Sequence, residues 1–139
     1  MGRRLCDMVC HQDPLTLPQT ATVRTACQRM GERKTGSVLV VDDKDRLVGI
    51  FTGRDAVRRV LATRKSSDTQ LKDVMTPDPT TSSADLTTIE ALRLMWDGGF
   101  RHLPLVKDNR VIGIVSRGDF QSDEQLQLDE ERQLWEHMR

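Results

Sequence analysis

The sequence predicts an α+β chain: two β-α-β-β-α repeats packed sheet to sheet about a pseudo-twofold axis, with a helical tail behind them. Three observations predict it. The chain matches itself at a shift of 65 residues that becomes 64 after one dropped position. Within each copy the apolar spacing changes from helical to that of strands. Each copy is too small to cover its own sheet, so a second layer is required.

The repeat is dense. At the shift of 65, Ala26, Met30, Val41 and Asp43 recur as Ala91, Met95, Val106 and Asp108. At 64, Arg46, Gly49, Ile50 and Asp55 recur as Arg110, Gly113, Ile114 and Asp119. Upstream, Leu5-Cys6-Asp7 parallels Leu71-Lys72-Asp73, and Asp13-Pro14 parallels Asp78-Pro79. Each copy opens with a short polar-apolar segment and a Thr-rich extended piece. A helix follows, with Val23, Ala26 and Met30, or Thr88, Leu92 and Met95, at helical spacing. Strands are predicted over 38–41 and 47–51 around the turn Asp42-Asp43-Lys44-Asp45, and over 103–106 and 111–115 around Lys107-Asp108-Asn109. A second helix starts near Arg54 or Gly118. The boundaries are 5–63 for the first repeat, 64–70 for a linker, 71–122 for the second repeat and 123–139 for the tail. In the tail, Leu128, Trp135 and Met138 fall near one face with Leu134 beside them, a stripe expected to pack on the domain or in a homodimer.

Composition narrows the function. Twenty-one Lys and Arg balance twenty-one Asp and Glu, which argues against a dedicated nucleic-acid or membrane-surface binder. No apolar run approaches a membrane span or a secretory signal. Three cysteines, an odd number, read as reduced thiols in a cytoplasm. Cys27 in the first helix is expected to be a buried thiol.

One element recurs where a strand meets a helix: Gly49-Ile50-Phe51-Thr52-Gly53-Arg54-Asp55 and Gly113-Ile114-Val115-Ser116-Arg117-Gly118-Asp119. A hydroxyl followed three residues later by an acid is a capping box that satisfies free amides at a helix start. The same residues suit a nucleotide: the amides attract an anion, the hydroxyl donates, and the carboxylate accepts from two adjacent ribose hydroxyls. Arg54 and Arg58 stand four apart, with Arg59 and Arg64 following. Such a run is a solvated basic face, or a place where phosphates are engaged by Arg54 and, as a further contact, Arg58.

Two such copies resemble the cystathionine-β-synthase (CBS) domain pair. The opening Val74-Met75-Thr76-Pro77-Asp78-Pro79 and the strand start Phe100-Arg101-His102-Leu103-Pro104-Leu105-Val106 are similar to that family's own, and the resemblance covers about residues 5 to 122. It implies a regulatory module, not an enzyme, that binds adenine nucleotides (AMP, ATP, NAD-type molecules) between the copies. It also implies a homodimer, an unknown effector protein and, with no attached catalytic domain in the sequence, a stand-alone sensor. Carried over, Asp55 and Asp119 hold ribose, and Thr52 and Ser116 contact ribose or phosphate. Arg101, His102 and Pro104 wall the second copy's cleft, Thr80 and Thr81 offer backbone groups to the base, and Arg117, like Arg54, lies by the phosphate. The first copy departs from the pattern: Gly36, Ser37 and Leu39 stand where the second has Arg101, His102 and Pro104, so the two sites are expected to differ.

Two rival readings remain. One is a constitutive dimeric scaffold with no physiological nucleotide, whose tail binds a partner. The other is a metal or redox sensor built on Cys6, Cys10 and His11, which lacks a matching second cluster for a four-ligand zinc site. No nucleophile–base pairing or phosphate-binding Gly-rich loop suggests catalysis.

Overall fold

The computed structural model describes residues 3–120 and 122–137, with the backbone alone at 122–125, 127, 128 and 137. The elements are α1 (Leu5–Val9), β1 (Thr16–Pro18), α2 (Val23–Arg33), β2 (Ser37–Val41), β3 (Leu47–Thr52) and α3 (Gly53–Asp55), which runs on as a π-helical turn (Ala56–Leu61). The second copy supplies β4 (Thr76–Pro77), α4 (Thr88–Gly98), β5 (His102–Lys107), β6 (Arg110–Ser116) and α5 (Ser122–His137).

Local chemistry sets the helix ends. Thr22 caps α2 by accepting from the Thr25 amide at 3.1 Å. Thr87 and Glu90 form a reciprocal capping box on α4, and the hydrogen bonds from Thr87 hold the Glu90 carboxyl below its ordinary pKa. The α4 helix ends on Gly99 at φ +72°, a left-handed turn that glycine adopts without cost.

Two sheets result. The first has the order β1-β2-β3-β4, with β1 parallel to β2 and the other pairs antiparallel. The second holds β5 and β6, extended by a parallel bridge from Ser82 to Leu105. Leu39 N donates to Leu15 O, whereas its counterpart Pro104 has no N–H to give. The second copy's first strand therefore shrinks to one bridge. Both hairpins carry a bulge at the same repeat position, Val40/Val41 and Leu105/Val106.

Equivalent residues meet at the pseudo-twofold axis. Arg46 and Arg110, one shift apart, bridge each other antiparallel, and Leu47 N donates to Asn109 O at 3.0 Å. The opening segments cross over this axis. Leu5 and Val9 are buried in the second copy's core with Leu92, Met95 and Leu103. Leu71 and Val74 are buried in the first copy's core with Met30, Val38 and Phe51. Two glycines permit the crossing. A Cβ on Gly113 would stand 2.7 Å from Val9 Cβ, and one on Gly49 would collide with Met75.

Two expectations are corrected. The second copy's closing helix does not run on from Gly118. Arg117–Asp119 is a single 3-10 turn, Phe120 is extended at φ −92°, ψ 146°, and α5 starts at Ser122. Phe120 is 5% exposed in the second core, and its counterpart Ala56 has no such side chain to bury, so the first copy stays helical. The tail is also not held by its apolar stripe. Leu134 and Trp135 are 62% and 70% exposed, and α5 lies on α4 through charge: Arg93 to Glu131 at 2.6 Å, and Arg132 to Asp97 at 3.7 Å. Met138 lies outside the described residues, as does the side chain of Leu128.

Candidate functional site

The two hydroxyl–acid motifs sit at equivalent strand ends. Ser37 is in register with Thr52, and His102 with Ser116. Gly53 N donates to Gly36 O at 3.0 Å, and Arg117 N to Arg101 O at 3.1 Å. Both acids cap. Asp55 Oδ2 accepts from the Thr52 amide at 2.9 Å and hydroxyl at 3.1 Å, while the Asp55 amide donates back to the hydroxyl at 3.2 Å. Asp119 Oδ2 accepts from the Ser116 amide at 2.7 Å. Each box leaves the second carboxylate oxygen to other partners.

Because the opening segments cross, each cleft is built from both copies. A cleft of about 180 Å³ is walled by residues 12–15, Ser37 and Leu39 of the first copy and floored by Ile114 of the second. Gln12 fixes that junction. Its side-chain amide donates to Ile114 O and accepts from Ile114 N, both at 2.9 Å, imitating a strand neighbour. Ser116 lies two residues along from Ile114 on the same strand face, with Asp119 just beyond. The repeat places the equivalent cleft over Ile50 and Thr52, where Thr76 pairs with Ile50 and Asp78 N donates to Val48 O. The shift of 65 carries residues 12–15, Ser37 and Leu39 to 77–80, His102 and Pro104. By that equivalence Thr80 and Pro104 fall on the side of Thr52 and Asp55, whereas the sequence reading grouped them with Ser116 and Asp119. Strand matching pairs residues within a copy and carries no sign of the crossing. Ser37 and Gln12 are cleft residues that the reading did not propose. The signal for Ser37 was its position opposite His102 in the repeat.

His102 is half-buried, with its pKa lowered. Burial is the main cause and the Arg101 charge adds to it, while Asp119 and Asp55 both pull upward. Both carboxylates therefore act on this one ring. Arg54 and Arg58 are exposed, with no hydrogen bond or ion pair among the described residues. Arg59 is engaged instead: its Nε lies 3.5 Å from Asp55 Oδ1 and its NH1 donates to Met75 O at 3.0 Å.

Arg117 is engaged on α4. It donates to Met95 O at 2.9 Å and stacks on Trp96 at 4.4 Å, with Arg132 of α5 on the same ring at 5.2 Å. Its Nε is buried without a hydrogen-bond partner. Arg117 thus links the Ser116–Asp119 turn to α4. Cys10 and His11 are exposed, and among the described residues no three His, Cys, Asp or Glu side chains gather as metal ligands. Cys27 is exposed, not buried, because it follows core-facing Ala26 around the helix.

Comparison with known proteins gives the family. The CBS-domain family profile matches residues 6–62 and 71–122. The chain belongs to the CBS-domain family, whose paired domains are regulatory modules. The Arabidopsis thaliana CBS domain-containing protein CBSCBSPB1 is 36% identical over 102 residues, 73% of this chain and 19% of that protein. The chain thus spans only a small part of this relative. A solved CBS-domain protein from Burkholderia ambifaria MC40-6 is 30% identical at a TM-score of 0.76, covering 84% of this chain and 89% of that one. The Pyrobaculum aerophilum CBS protein PAE2072, solved in complex with AMP, shares the fold at a TM-score of 0.80 and 23% identity, covering 91% of this chain and 98% of that one. No described helix is long and apolar enough to cross a membrane.

Proposed function

We propose that this CBS pair is a cytoplasmic regulatory module that binds an adenine nucleotide (AMP, ATP or an NAD-type molecule) between its copies and binds it without turnover. The observation that carries this reading is the cross-copy cleft beside Ser116 and Asp119. Asp119 accepts from the ribose hydroxyls, Ser116 contacts ribose or phosphate, and residues 12–15 with Ser37 enclose the base. In the equivalent cleft, Thr52 and Asp55 hold the corresponding positions. Pro104 donates nothing to Thr80 O, so the backbone at Thr80 and Thr81 stays open to a base. His102 and Arg101 sit toward the phosphate from the middle, and Arg54 and Arg58 are free cations at the rim. PAE2072 holds AMP on this fold, which supports a nucleotide of that class.

A ligand in either cleft touches both copies, so it favours one relative orientation of them. An effector protein reads that orientation, and Arg117 is the side chain that carries a change at the turn toward α4 and α5. The module acts as a homodimer through the exposed apolar residues of its closing helices.

The test is a thermal-shift panel of AMP, ADP, ATP, NAD, NADH, S-adenosylmethionine and GTP on nucleotide-stripped protein, with Asp119→Ala alongside. A ligand at one hundred times its Kd adds about 2.7 kcal/mol, a rise of several degrees for a chain of this size. We expect an adenine-selective rise that is lost in Asp119→Ala. No rise with any ligand, in folded protein, leaves capping as the whole role of the two motifs and favours the constitutive scaffold.

A further inference from the structure

Asp55 and Asp119 are equivalent in the repeat and unequal in the fold. Both oxygens of Asp55 are engaged: Oδ2 by Thr52, and Oδ1 by Arg59 at 3.5 Å, with the Asp55 side chain only 13% exposed. Arg59 is itself anchored to Met75 O at 3.0 Å, on the opening segment that crosses from the second copy. A ribose diol at Asp55 must displace a charge-assisted contact tied to the wall of its own cleft. Asp119 is exposed, and among the described residues its Oδ1 has no partner. In the second copy the chain leaves the helix at Phe120, and the residue four after Asp119 in sequence is Asp123, not an arginine. The 180 Å³ cleft is lined by Ile114, on the strand that leads to Ser116 and Asp119.

We infer that Arg59 is a specificity-determining residue that occupies the Asp55 carboxylate and closes that cleft to ribose, so that the chain takes one nucleotide, at Asp119. This rests on the nucleotide reading above. It assigns the unequal affinity of the two clefts to a side chain contributed by neither motif.

The experiment is calorimetric titration of AMP into nucleotide-stripped protein. Wild type binds one equivalent per chain, and Asp119→Ala loses it by at least tenfold in affinity. Arg59→Gln gains a second equivalent, and Arg59→Gln with Asp55→Ala returns to one. Two equivalents in wild type, one equivalent still in Arg59→Gln, or a tenfold weaker single equivalent in Arg59→Gln each overturn the inference and leave the nucleotide reading standing. The last result would make Arg59 a phosphate ligand. If Arg59→Gln does not fold, by circular dichroism, wild type decides: a single equivalent that survives Asp119→Ala sits at Asp55 and overturns the inference. No binding of AMP, ATP or NAD by wild type overturns the nucleotide reading itself.

Discussion

His102 joins the chemistry of both motifs in one side chain. It is half-buried, and burial first and Arg101 second hold its pKa below the ordinary 6.5, against the pull of Asp119 and Asp55. Between the folded value and 6.5 the unfolded chain holds more protons than the folded one, so stability rises with pH across that window. The contribution is complete above 6.5 and is lost as pH falls through the folded value. We expect the Tm of ligand-free protein to drop between pH 7.5 and pH 5.5 by more in wild type than in His102→Gln, read by differential scanning calorimetry. Equal drops would mean that the ring is solvated and stands apart from the clefts. The capping boxes make a related point. Thr52 and Asp55 satisfy backbone amides whatever else they bind, so loss of stability on mutation is no measure of ligand contact, and only ligand-dependent shifts separate the two roles.

Among the elements, the crossing of the opening segments decides what the clefts are made of, and two glycines hold it in place. Gly113 lets Val9 lie against β6. A Cβ there would meet Val9 Cβ at 2.7 Å, Val9 Cγ1 at 2.9 Å and Gln12 Oε1 at 3.1 Å. Val9 is 6% exposed in the second core and has no room to retreat. Gly113→Ala is therefore expected to cost about 1–3 kcal/mol in chemical denaturation, as overpacking does. Gly36→Ala, where nothing stands within 4 Å, should change stability by less than about 0.5 kcal/mol. Similar values for both would show that α1 shifts freely on the sheet. The recurrence of Gly49 as Gly113 was plain in the sequence, and so were the strands, the main helices and their caps, because each is local. The crossing was not, since a repeat says which residues are equivalent and nothing about which sheet each segment covers. Arg59 shows the same limit. Its spacing of four from Asp55 was on view, yet it read as one of a run of arginines until the fold set the carboxylate beside it. Phe120 shows another: a single large apolar residue in place of Ala56 interrupts the second copy's closing helix, and no periodicity marks the break.

Across the whole molecule, the helices that follow the two motifs leave apolar side chains in water. Val57 and Leu61, 56% and 71% exposed, lie one turn apart beyond α3. Leu126, Leu134 and Trp135, between 60% and 70% exposed, lie on α5, which is anchored to α4 by the Arg93–Glu131 pair and by Arg132 at Trp96. Ion pairs this exposed contribute little, and a second molecule would bury the exposed apolar residues of α5. Side chains of this size left in water on both closing helices are what an interface between copies would cover. Sedimentation velocity on wild type should give a dimer, and Leu61→Glu or Trp135→Glu should shift it toward monomer while leaving circular dichroism unchanged. A monomeric wild type would remove the homodimer from the proposal without touching the clefts. A dimer that survives both substitutions would place the contact elsewhere. If the nucleotide reading holds, dimer affinity is expected to change with AMP when the two copies turn relative to each other, because the first closing helix follows directly from its motif turn and α5 is tied to the second through Arg117, Trp96 and Arg132. An unchanged dimer constant at saturating AMP, alongside a clear thermal shift, would show that the clefts bind without moving the outer faces, and the signal would then have to leave through α4 and the Arg117–Trp96–Arg132 stack.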